Sequence, residues 1–543
     1  MCYLNRLFNK LFLFSIFPII IMAQPELRFL PFDWVQYRQT GQINSISFSD
    51  RYAFIATQSG GLQRFNLFSN RFEEPITRAQ GLQSNVITAV HRASNGVLWV
   101  ATPLGIEYSL TEEGEWQSIS LNVLGLKFGT LIERIGESEQ DIWLETPGLV
   151  HRIDGINGLV TGVMANPDRP VSWSSGLIKF KKDLSNLFFD YSILNGWMTD
   201  LQSLFHPDGR EMRITTIAIN RMNEIWLGTE DGTFFRGDNT MRTFTPYRFS
   251  LGNNDVQDIE GKDSFWLGGR LGKSPAGVSY FDSDRQIADD FMFQNNINMD
   301  RTSIYSILEL KNEVWFGGEA GILIYNIKQD YWRTFTLNLG GGKNIITSLL
   351  DVKDQVWVAS TNGIFILNKK DKKSVDYALI EYFRNIYVYD LAHAMNFVYI
   401  ATESGLFIYD LKKQKIYDSK LFGYKTKDFM FPMRHYGYTA FAQDRHNLYI
   451  ANLTGIISFN FRTRLWSNVV DPSIFGGLNV KSMVINNNTL FISTINGIVK
   501  YEMEKNLMEI FNYPFMGQIN DMYIKGRNIW LGTSEGLISY KYK

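Results

Sequence analysis

The sequence has almost no cysteine and no excess of charge of either sign. Its 543 residues include one cysteine, Cys2, so a disulfide framework and a cysteine-based metal site are both excluded. Lysine and arginine number 54 against 55 aspartate and glutamate residues, a balance that creates no field to attract nucleic acid. We therefore expect no nucleic acid among the partners of this protein.

Long apolar runs are equally scarce. Residues 11–22 are mostly apolar and follow two basic residues, Arg6 and Lys10, but this run is short for a bilayer span. The order of charge, apolar run and small residue predicts a signal peptide over 1–23, cleaved before Gln24. The alternative is an uncleaved anchor. We expect a periplasmic or secreted protein with no transmembrane span after cleavage of the signal.

Motifs that carry chemistry are absent from the sequence. The six histidines form no His-x-His or His-Glu-x-x-His pair, and no Gly-x-Ser-x-Gly elbow or phosphate-binding loop occurs. The acidic groups at 282–284 and 289–290 lack the glycine and distal glutamate of a calcium loop. We predict no catalytic residue, no metal ligand and no cofactor. The basic run 369–373 is interpreted as the polar tip of a hairpin.

Aromatic residues, in contrast, are abundant and periodic. A pattern of apolar, aromatic, apolar, small, Thr-x-x-Gly and alternating apolar residues recurs, as in LWVATPLGIEYS from Leu98 and IWLGTSEGLISYK from Ile529. The aromatic position is occupied by Phe54, Trp99, Trp143, Trp226, Trp266, Trp315, Trp357, Tyr399, Tyr449, Phe491 and Trp530. The copies are spaced about 42 residues apart, except for one gap of about two periods after Trp143, which predicts a degenerate copy near Val171.

Each part of the repeat has a structural meaning. The apolar–aromatic–apolar run is typical of a strand buried on both faces, and Thr-x-x-Gly of a tight turn to a return strand. A looser strand and another short strand complete the unit, which makes four strands per repeat. The fold class is therefore all-β, a β-propeller of about twelve four-stranded blades. Because propellers usually hold four to eight blades, we expect two propellers.

The division between these propellers follows from the spacing. After the signal peptide, we expect a first set of blades over 24–295 and a second set over 296–543. The last copy ends at Lys543 without an outer strand, and residues 33–39 resemble an outer strand without a blade. Pairing the two would cover two exposed sheet edges, so the sequence favours closure of the last blade by the N-terminal strand. Two consecutive rings with a boundary near 290–300 are the alternative.

The repeated motif resembles a known family. Leu-Trp-hydrophobic-Gly/Ala-Thr-x-x-Gly-Leu-x-x-Tyr, with lead-in strands such as residues 81–90, is similar to the two-component-regulator propeller repeat, and the copies span essentially the whole mature chain. That family includes oligosaccharide-binding sensor domains of hybrid histidine kinases, and periplasmic double-propeller components of type IX secretion are similar. The resemblance implies an oligosaccharide-like ligand or another envelope protein as partner.

One irregular segment is the main candidate binding site. Residues 422–438 insert into a long repeat interval and mix aromatic and basic side chains, a composition suited to stacking on a sugar or docking a partner. The alternative is a loop whose aromatic residues form a small core. The residues predicted to bind are Tyr424, Lys425, Phe431, Arg434, His435 and Tyr436, followed by Arg270 and Lys273 in an enlarged turn at 269–277.

These observations predict a non-catalytic, exported binding or scaffold protein. It would act as a ligand-sensing propeller module or as a periplasmic assembly factor. The alternative is a propeller-fold enzyme, a hydrolase or lyase, that acts on polysaccharide.

Overall fold

Short antiparallel strands make up most of the computed structural model. The structure describes residues 30–112, 114–179, 184–200, 203–271, 276–292, 301–319, 321–337, 344–418, 437–453, 455–470, 479–495 and 497–542. Within these ranges there are two α-helices of six residues each, α1 (Ser185–Asp190) and α2 (Tyr377–Tyr382). Neither is long and apolar enough to cross a bilayer. The predicted signal peptide lies outside the described residues.

The chain begins with β1 (Trp34–Tyr37) and then builds its first sheets from consecutive strands. Two have four strands and the third has a short fifth strand, β14, beside β10. Their strands are β2 (Ile43–Phe48), β3 (Tyr52–Thr57), β4 (Leu62–Asn66) and β5 (Arg71–Ile76); β6 (Ala89–Arg92), β7 (Leu98–Thr102), β8 (Gly105–Ser109) and β9 (Gln117–Ser120); β10 (Arg134–Ser138), β11 (Asp141–Thr146), β12 (Leu149–Asp154), β13 (Val160–Met164) and β14 (Ser172–Trp173).

The degenerate copy after Trp143 takes a reduced form. After β14 come α1, a short strand, and a sheet of three two-residue strands, followed by a regular blade. These strands are β15 (Ser192–Ile193), β16 (Met198–Thr199), β17 (Leu204–Phe205), β18 (Glu211–Met212), β19 (Ile214–Ile219), β20 (Ile225–Thr229), β21 (Phe234–Asp238) and β22 (Thr243–Tyr247). Strand β15 pairs in parallel with β22.

Seven further sheets follow, and β1 completes the last of them. Their strands are β23 (Val256–Gly261), β24 (Phe265–Gly269), β25 (Ala276–Asp282) and β26 (Ile287–Met292); β27 (Ser306–Glu309), β28 (Glu313–Gly317), β29 (Gly321–Asn326) and β30 (Tyr331–Thr336); β31 (Ile346–Val352), β32 (Gln355–Ser360) and β33 (Gly363–Asn368); β34 (Val388–Ala394), β35 (Phe397–Thr402), β36 (Gly405–Asp410) and β37 (Lys415–Asp418); β38 (Ala440–Gln443), β39 (Asn447–Asn452), β40 (Gly455–Asn460) and β41 (Trp466–Val470); β42 (Met483–Asn486), β43 (Thr489–Thr494), β44 (Gly497–Glu502) and β45 (Leu507–Phe511); β46 (Ile519–Lys525), β47 (Asn528–Thr533) and β48 (Gly536–Lys541). The described residues form twelve sheets, and the all-β propeller fold predicted from the repeat is confirmed.

The first strands of the sheets form two closed series. In the first ring, β2 contacts β6, β6 contacts β10, and β19 returns to β2, where Thr215 Oγ1 donates to Ile43 O at 2.6 Å. In the second ring, contacts run from β23 through β27, β31, β34, β38 and β42 to β46 and back to β23. There Asn520 Nδ2 donates to Val256 O at 2.8 Å. The first ring has four full blades and the second has seven.

The boundary between the two rings lies earlier in the chain than the sequence indicated. Sheet β23–β26 contacts the sheets that follow it, whereas the division predicted at 295/296 placed residues 256–292 in the first set. The long interval after Trp266 contains the enlarged turn between β24 and β25, so its length reflects a loop inside a blade. We infer that the boundary between the two rings lies between Tyr247 and Val256.

Strand β1 closes the second ring from the other end of the chain. It pairs antiparallel with β48, with Trp34 opposite Tyr540 and Tyr37 opposite Leu537. The Trp34 ring stacks on Tyr540 at 4.0 Å between centroids. Gly536, at φ 116°, begins β48, and a Cβ there would lie 2.2 Å from Tyr37 O. The turn glycine therefore provides both the positive φ and the space for the closing strand.

The small residue two positions after the repeat aromatic lies where neighbouring blades approach, except in the repeat of Trp143, where Glu145 takes this position and lines a cavity. A Cβ on Gly317 would lie 2.5 Å from Ile346 Cγ2 of the next blade, and one on Gly228 would lie 2.7 Å from Ile43 Cγ2. The aromatic residue two positions earlier is buried, as for Trp315 and Trp226. A side chain at either of these two glycines would therefore force the blades apart.

Candidate functional site

Each ring surrounds a central cavity lined mainly by its first strands. The cavity of the first ring has a volume of about 1230 Å³ and that of the second about 550 Å³. The first is wider although its ring has fewer blades, because the fifth blade position holds only β14 and the segment 174–178, which follows it along the cavity wall. We call these cavities the first channel and the second channel.

The charges of the first channel largely neutralise one another. Arg134 Nη2 donates to Glu145 Oε1 at 3.0 Å, and this pairing holds the pKa of Glu145 below its usual value. The Arg134 guanidinium also lies 5.0 Å from the Trp173 ring centroid, which occupies one aromatic surface of the channel. Lys179 forms an ion pair with Glu133. These groups already satisfy each other, so little of their charge remains for a ligand.

The second channel is lined by one position taken from every blade. The residue ten positions before the repeat aromatic, or nine in the first of these blades, lines the cavity in each case. These residues are Gln257, Tyr305, Thr347, Tyr389, Thr439, Lys481 and Asn520. Seven blades thus contribute a ring of polar and aromatic side chains with no aliphatic member.

Aromatic side chains concentrate at one end of this channel. Tyr387 and Tyr389 lie with their centroids 4.4 Å apart at an interplanar angle of 36°. Tyr305 and Tyr387 each come directly before a first strand, and Tyr389 is the second residue of one. All three therefore lie at the end of the channel where the first strands start. The turns between second and third strands lie at that same end because neighbouring strands are antiparallel. We call Arg270, Tyr305, Tyr387, Tyr389 and Lys481 the mouth of the second channel.

Two cations share the mouth. Arg270 follows β24 and is exposed, and its guanidinium carbon lies 6.0 Å from the Tyr305 ring centroid and its Nε 3.8 Å from Asp255 Oδ2. Lys481 Nζ donates to Asn520 Oδ1 at 2.7 Å. Desolvation, followed by the nearby Arg270 guanidinium, lowers the pKa of Lys481. The mouth therefore combines flat rings with hydrogen-bond donors, which suits hydroxyl or carboxylate groups on a ligand.

A belt of carboxylates and hydroxyls lies one residue further along six of the seven first strands, at Asp258, Ser306, Ser348, Asp390, Ser482 and Asp521, and Ala440 takes this place in the seventh. Asp390 Oδ2 accepts from Phe441 N at 3.0 Å, and its Oδ1 accepts from Ser348 Oγ at 2.9 Å. Asp521 Oδ2 accepts from Ile259 N at 3.1 Å in the same way. Each bond joins one blade to the next. The belt therefore links neighbouring blades of the second ring by hydrogen bonds on the side that faces the channel.

Two of these acids, Asp258 and Asp521, lie next to each other at the contact that closes the ring. Burial and the adjacent Asp521 carboxyl raise the pKa of Asp258 well above its usual range, and burial also raises that of Asp521. Backbone N–H groups of Ile259 and Ile307 already donate to the carboxyl oxygens of Asp258. The pair is thus engaged in blade-to-blade hydrogen bonds, although both residues face the channel.

Of the eight predicted binding residues, Arg270 belongs to the described part of the chain. Tyr424, Lys425, Phe431, Arg434, His435 and Tyr436 lie outside the described residues, and so does Lys273. Arg270 is described and lies at the mouth of the second channel. Gly437, where the described chain resumes, donates its N–H to Glu403 O, and Glu403 Oε1 accepts from Tyr387 N at 3.2 Å. The insertion therefore ends beside the tyrosine pair of the mouth.

Sequence reasoning missed Tyr305, Tyr387, Tyr389 and Lys481. A usable signal was present, since three of them occupy a constant offset from the repeat aromatic. That offset becomes meaningful only once the first strand is known to line the channel. Among the described residues, no group of three or more histidine, cysteine or acidic side chains is arranged to hold a metal ion.

Comparison with known proteins identifies the repeat. The sequence model of the family described as two component regulator propeller matches residues 81–103. No curated protein sequence matches this chain. The fold assignment rests on this chain's own strand pairing.

Several solved structures are similar at low identity. The extracellular domains of two Bacteroides thetaiotaomicron systems, the one component system BT4673 and the hybrid two component system BT3049, have TM-scores of 0.42 and 0.43 and identities of 14% and 15%. The match covers 92% of this chain and 71% and 75% of theirs. PorZ, a surface component of the type-IX secretion system of Porphyromonas gingivalis, has a TM-score of 0.43 and 14% identity. The match covers 92% of this chain and 74% of the PorZ chain. Residues 81–103 of this chain carry the two component regulator propeller repeat.

Proposed function

We propose that this protein is an exported, non-catalytic binding protein that holds an oligosaccharide-like ligand at the mouth of the second channel. The observation that carries the proposal is the tyrosine pair Tyr387 and Tyr389 beside the cations Arg270 and Lys481. Sugar rings present apolar C–H faces that pack on aromatic rings, and their hydroxyl groups accept hydrogen bonds from cationic side chains. The cavity of about 550 Å³ is within the usual range for a small ligand.

The sequence insertion belongs to the same proposal. Residues 422–436 would form one side of the site, since the chain resumes at Gly437 next to Glu403 and the tyrosine pair. Tyr424, Arg434 and Tyr436 would extend the aromatic and cationic surface of the mouth. Export is supported by the basic residues and apolar run at the start of the sequence.

A scaffold role in the cell envelope is the second form of this proposal. The loop between β9 and β10 exposes apolar side chains, with Val123 60%, Phe128 90% and Leu131 40% exposed. Exposed apolar groups of this size are typical of contacts with another protein. This loop lies on the first ring, so a protein partner and a saccharide would use different surfaces.

The polysaccharide enzyme is the competing function, and one observation favours it. Asp258 and Asp521 form a carboxyl pair with raised pKa values in the second channel, and glycoside hydrolysis uses such pairs. Their oxygens are occupied by backbone and serine donors that join the blades. A proton donor held in this way is poorly placed to reach a glycosidic oxygen, so we favour binding without turnover.

The test is a glycan array followed by calorimetry with the glycan that binds. Tyr389→Ala should weaken binding about tenfold, because one stacking surface is lost, and should lower the melting temperature only slightly, since Tyr389 is only partly buried. Tyr331→Ala is the matched control, since Tyr331 is a 47% exposed tyrosine on the outer strand β30. The glycan should be recovered intact after incubation. Equal binding by both variants would contradict the site, and cleavage lost in Asp521→Asn would establish the enzyme instead.

A further inference from the structure

The basic run 369–373 forms one wall of a cavity between two blades of the second ring. This cavity, of about 470 Å³, is bounded by sheet β27–β30 on one side and by β31–β33 on the other. Its charged residues are Lys311, Lys369, Lys370, Lys372, Glu313 and Asp351. It lies among turns that join first to second and third to fourth strands, at the end opposite the mouth of the second channel. We call it the lysine pocket.

The position of Lys372 differs from that of its counterparts in the other blades. The fifth residue of the same turn is Asn70 in one blade and Asp330, Gln414, Arg464 or Asn506 in others, and each of these is exposed. Lys372 is 8% exposed. The sheet β31–β33 lacks a fourth strand, so this turn is free to bend towards the neighbouring blade.

The Lys372 ammonium is held at the pocket wall by the adjacent blade. Its Nζ donates to Glu313 Oε2 at 2.6 Å and lies 4.7 Å from the centroid of the Trp315 ring. Glu313 also accepts from Arg333 Nη2 at 3.0 Å and from Trp315 Nε1 at 3.1 Å. Since Arg333 by itself would neutralise Glu313, Lys372 adds a positive charge that the protein does not need for pairing.

The remaining charges leave an excess of cations. Lys369 pairs with Asp351, which uses the second acid of the pocket. Lys311 and Lys370 form no ion pair with any residue that the structure describes. The pocket thus holds four lysines against two carboxylates, and both carboxylates are already engaged. Lys311 and Lys370 are exposed at the pocket and carry its two excess positive charges, which a bound anion would complement.

We propose that the lysine pocket binds a multiply charged oxoanion, as a phosphate monoester or diphosphate group. Lysine ammonium groups bind phosphate as point charges, and Lys311 and Lys370 can donate to the oxygens of one such group, while Lys369 and Lys372 pair with Asp351 and Glu313. The pocket offers no ring face for stacking, because Trp315 is fully buried beneath Lys372. It therefore recognises charge and not the shape of an attached sugar, which distinguishes it from the mouth of the second channel.

The experiment is titration calorimetry of the full exported chain with inorganic pyrophosphate. Binding should weaken about tenfold or more in Lys311→Ala/Lys370→Ala, because two charge-assisted hydrogen bonds are lost. The control is Lys412→Ala/Lys413→Ala, which removes two exposed lysines from the same turn of the next blade, after Asp410. The control should bind as the parent does. No binding by the parent, or equal weakening in both variants, would overturn the proposal.

Vesicles distinguish the source of the anion. Phosphatidylcholine vesicles with and without phosphatidic acid are sedimented with the parent and with both variants. Binding that requires phosphatidic acid, Lys311 and Lys370 supports a lipid-borne phosphate, and pyrophosphate binding without vesicle binding supports a soluble one. Vesicle binding without pyrophosphate binding would show general surface attraction and would overturn the pocket. Lys370→Glu should abolish pyrophosphate binding, and thermal unfolding of each variant confirms that it is folded.

Discussion

The two rings are built from the same repeat but are completed in different ways. The first ring is closed by consecutive chain, with β19 against β2, and one of its positions holds a strand of two residues instead of a blade. The second ring has seven blades, and the last takes its outer strand from the start of the chain. The first channel is wider and neutralises its own charges, whereas the second is narrower and combines cationic donors with aromatic rings at its mouth. An incomplete blade thus adds volume, and a complete set of blades adds a regular lining.

The two rings are also joined by a common core. Tyr37 of β1 lies 4.8 Å from Phe281 and 5.8 Å from Phe249, measured between ring centroids. Phe234 of the first ring belongs to the same buried cluster. Arg248 Nη1 lies 2.7 Å from Asp290 Oδ2, between the end of the first ring and β26. Loss of β1 would therefore affect both the closure of the second ring and its junction with the first.

The largest effect is expected where the second ring closes. Trp34→Ala should lower the free energy of unfolding by about 3–5 kcal/mol, since a buried indole stacked on Tyr540 is removed. Trp173→Ala in the first channel is the control, and it should cost less because Trp173 is only half-buried. Thermal and denaturant unfolding measure both. Equal losses would show that the closing strand contributes no more than a side chain in the channel wall.

Substitutions at the contacts between blades should have a smaller effect on the free energy of unfolding, and this effect should differ between the two rings. Gly317→Ala would place a Cβ 2.5 Å from Ile346 Cγ2 and should cost about 1–3 kcal/mol. Gly228→Ala makes a similar contact of 2.7 Å with Ile43 in the first ring. We expect a lower cost there, because the incomplete blade position lets the ring adjust. If Gly228→Ala proves the more costly in denaturant unfolding, the first ring is the stiffer one.

The smallest effect concerns pH. Burial, with Asp521 and Glu309 nearby, raises the pKa of Glu260 in the second ring to about 7, and burial alone raises that of Glu107 in the first ring to about 7. A raised folded-state pKa stabilises the protein at low pH, and this contribution is lost between about pH 4.5 and 7. The melting temperature should therefore fall by about 1–3 °C between pH 5.5 and 7.5, and less so in Glu260→Gln.

The dependence on salt distinguishes the pH effect of Glu260 from that of Glu107. Added salt should reduce the pH effect that Glu260 contributes, because it screens repulsion from the neighbouring acids, and should leave that of Glu107 nearly unchanged. The measurement is the difference in melting temperature between each glutamine variant and the parent at low and high salt. The same salt response at both positions would show that burial alone governs Glu260.

Local regularities made much of this fold predictable from the sequence. The aromatic positions, the small residue and the turn glycine recur at a constant spacing, so the blade and its four strands could be read without a structure. The pairing of residues 33–39 with the last blade was favoured because both had unpaired edges. The insertion at 422–438 remains a prediction as a binding site, since its residues 422–436 lie outside the described chain.

What the sequence determined by itself was the blade, because the strands of a blade follow one another in the chain, apart from β1, which pairs with β48 of the last blade. Only the tertiary structure decided how many blades close each ring, since closure joins residues as distant as Val256 and Asn520. It also decided that Tyr389 and Lys481 meet around one channel. The position of Lys372 was set in the same way, by Glu313 of another blade. A repeat specifies its own unit, whereas its functional surfaces arise where distant units meet.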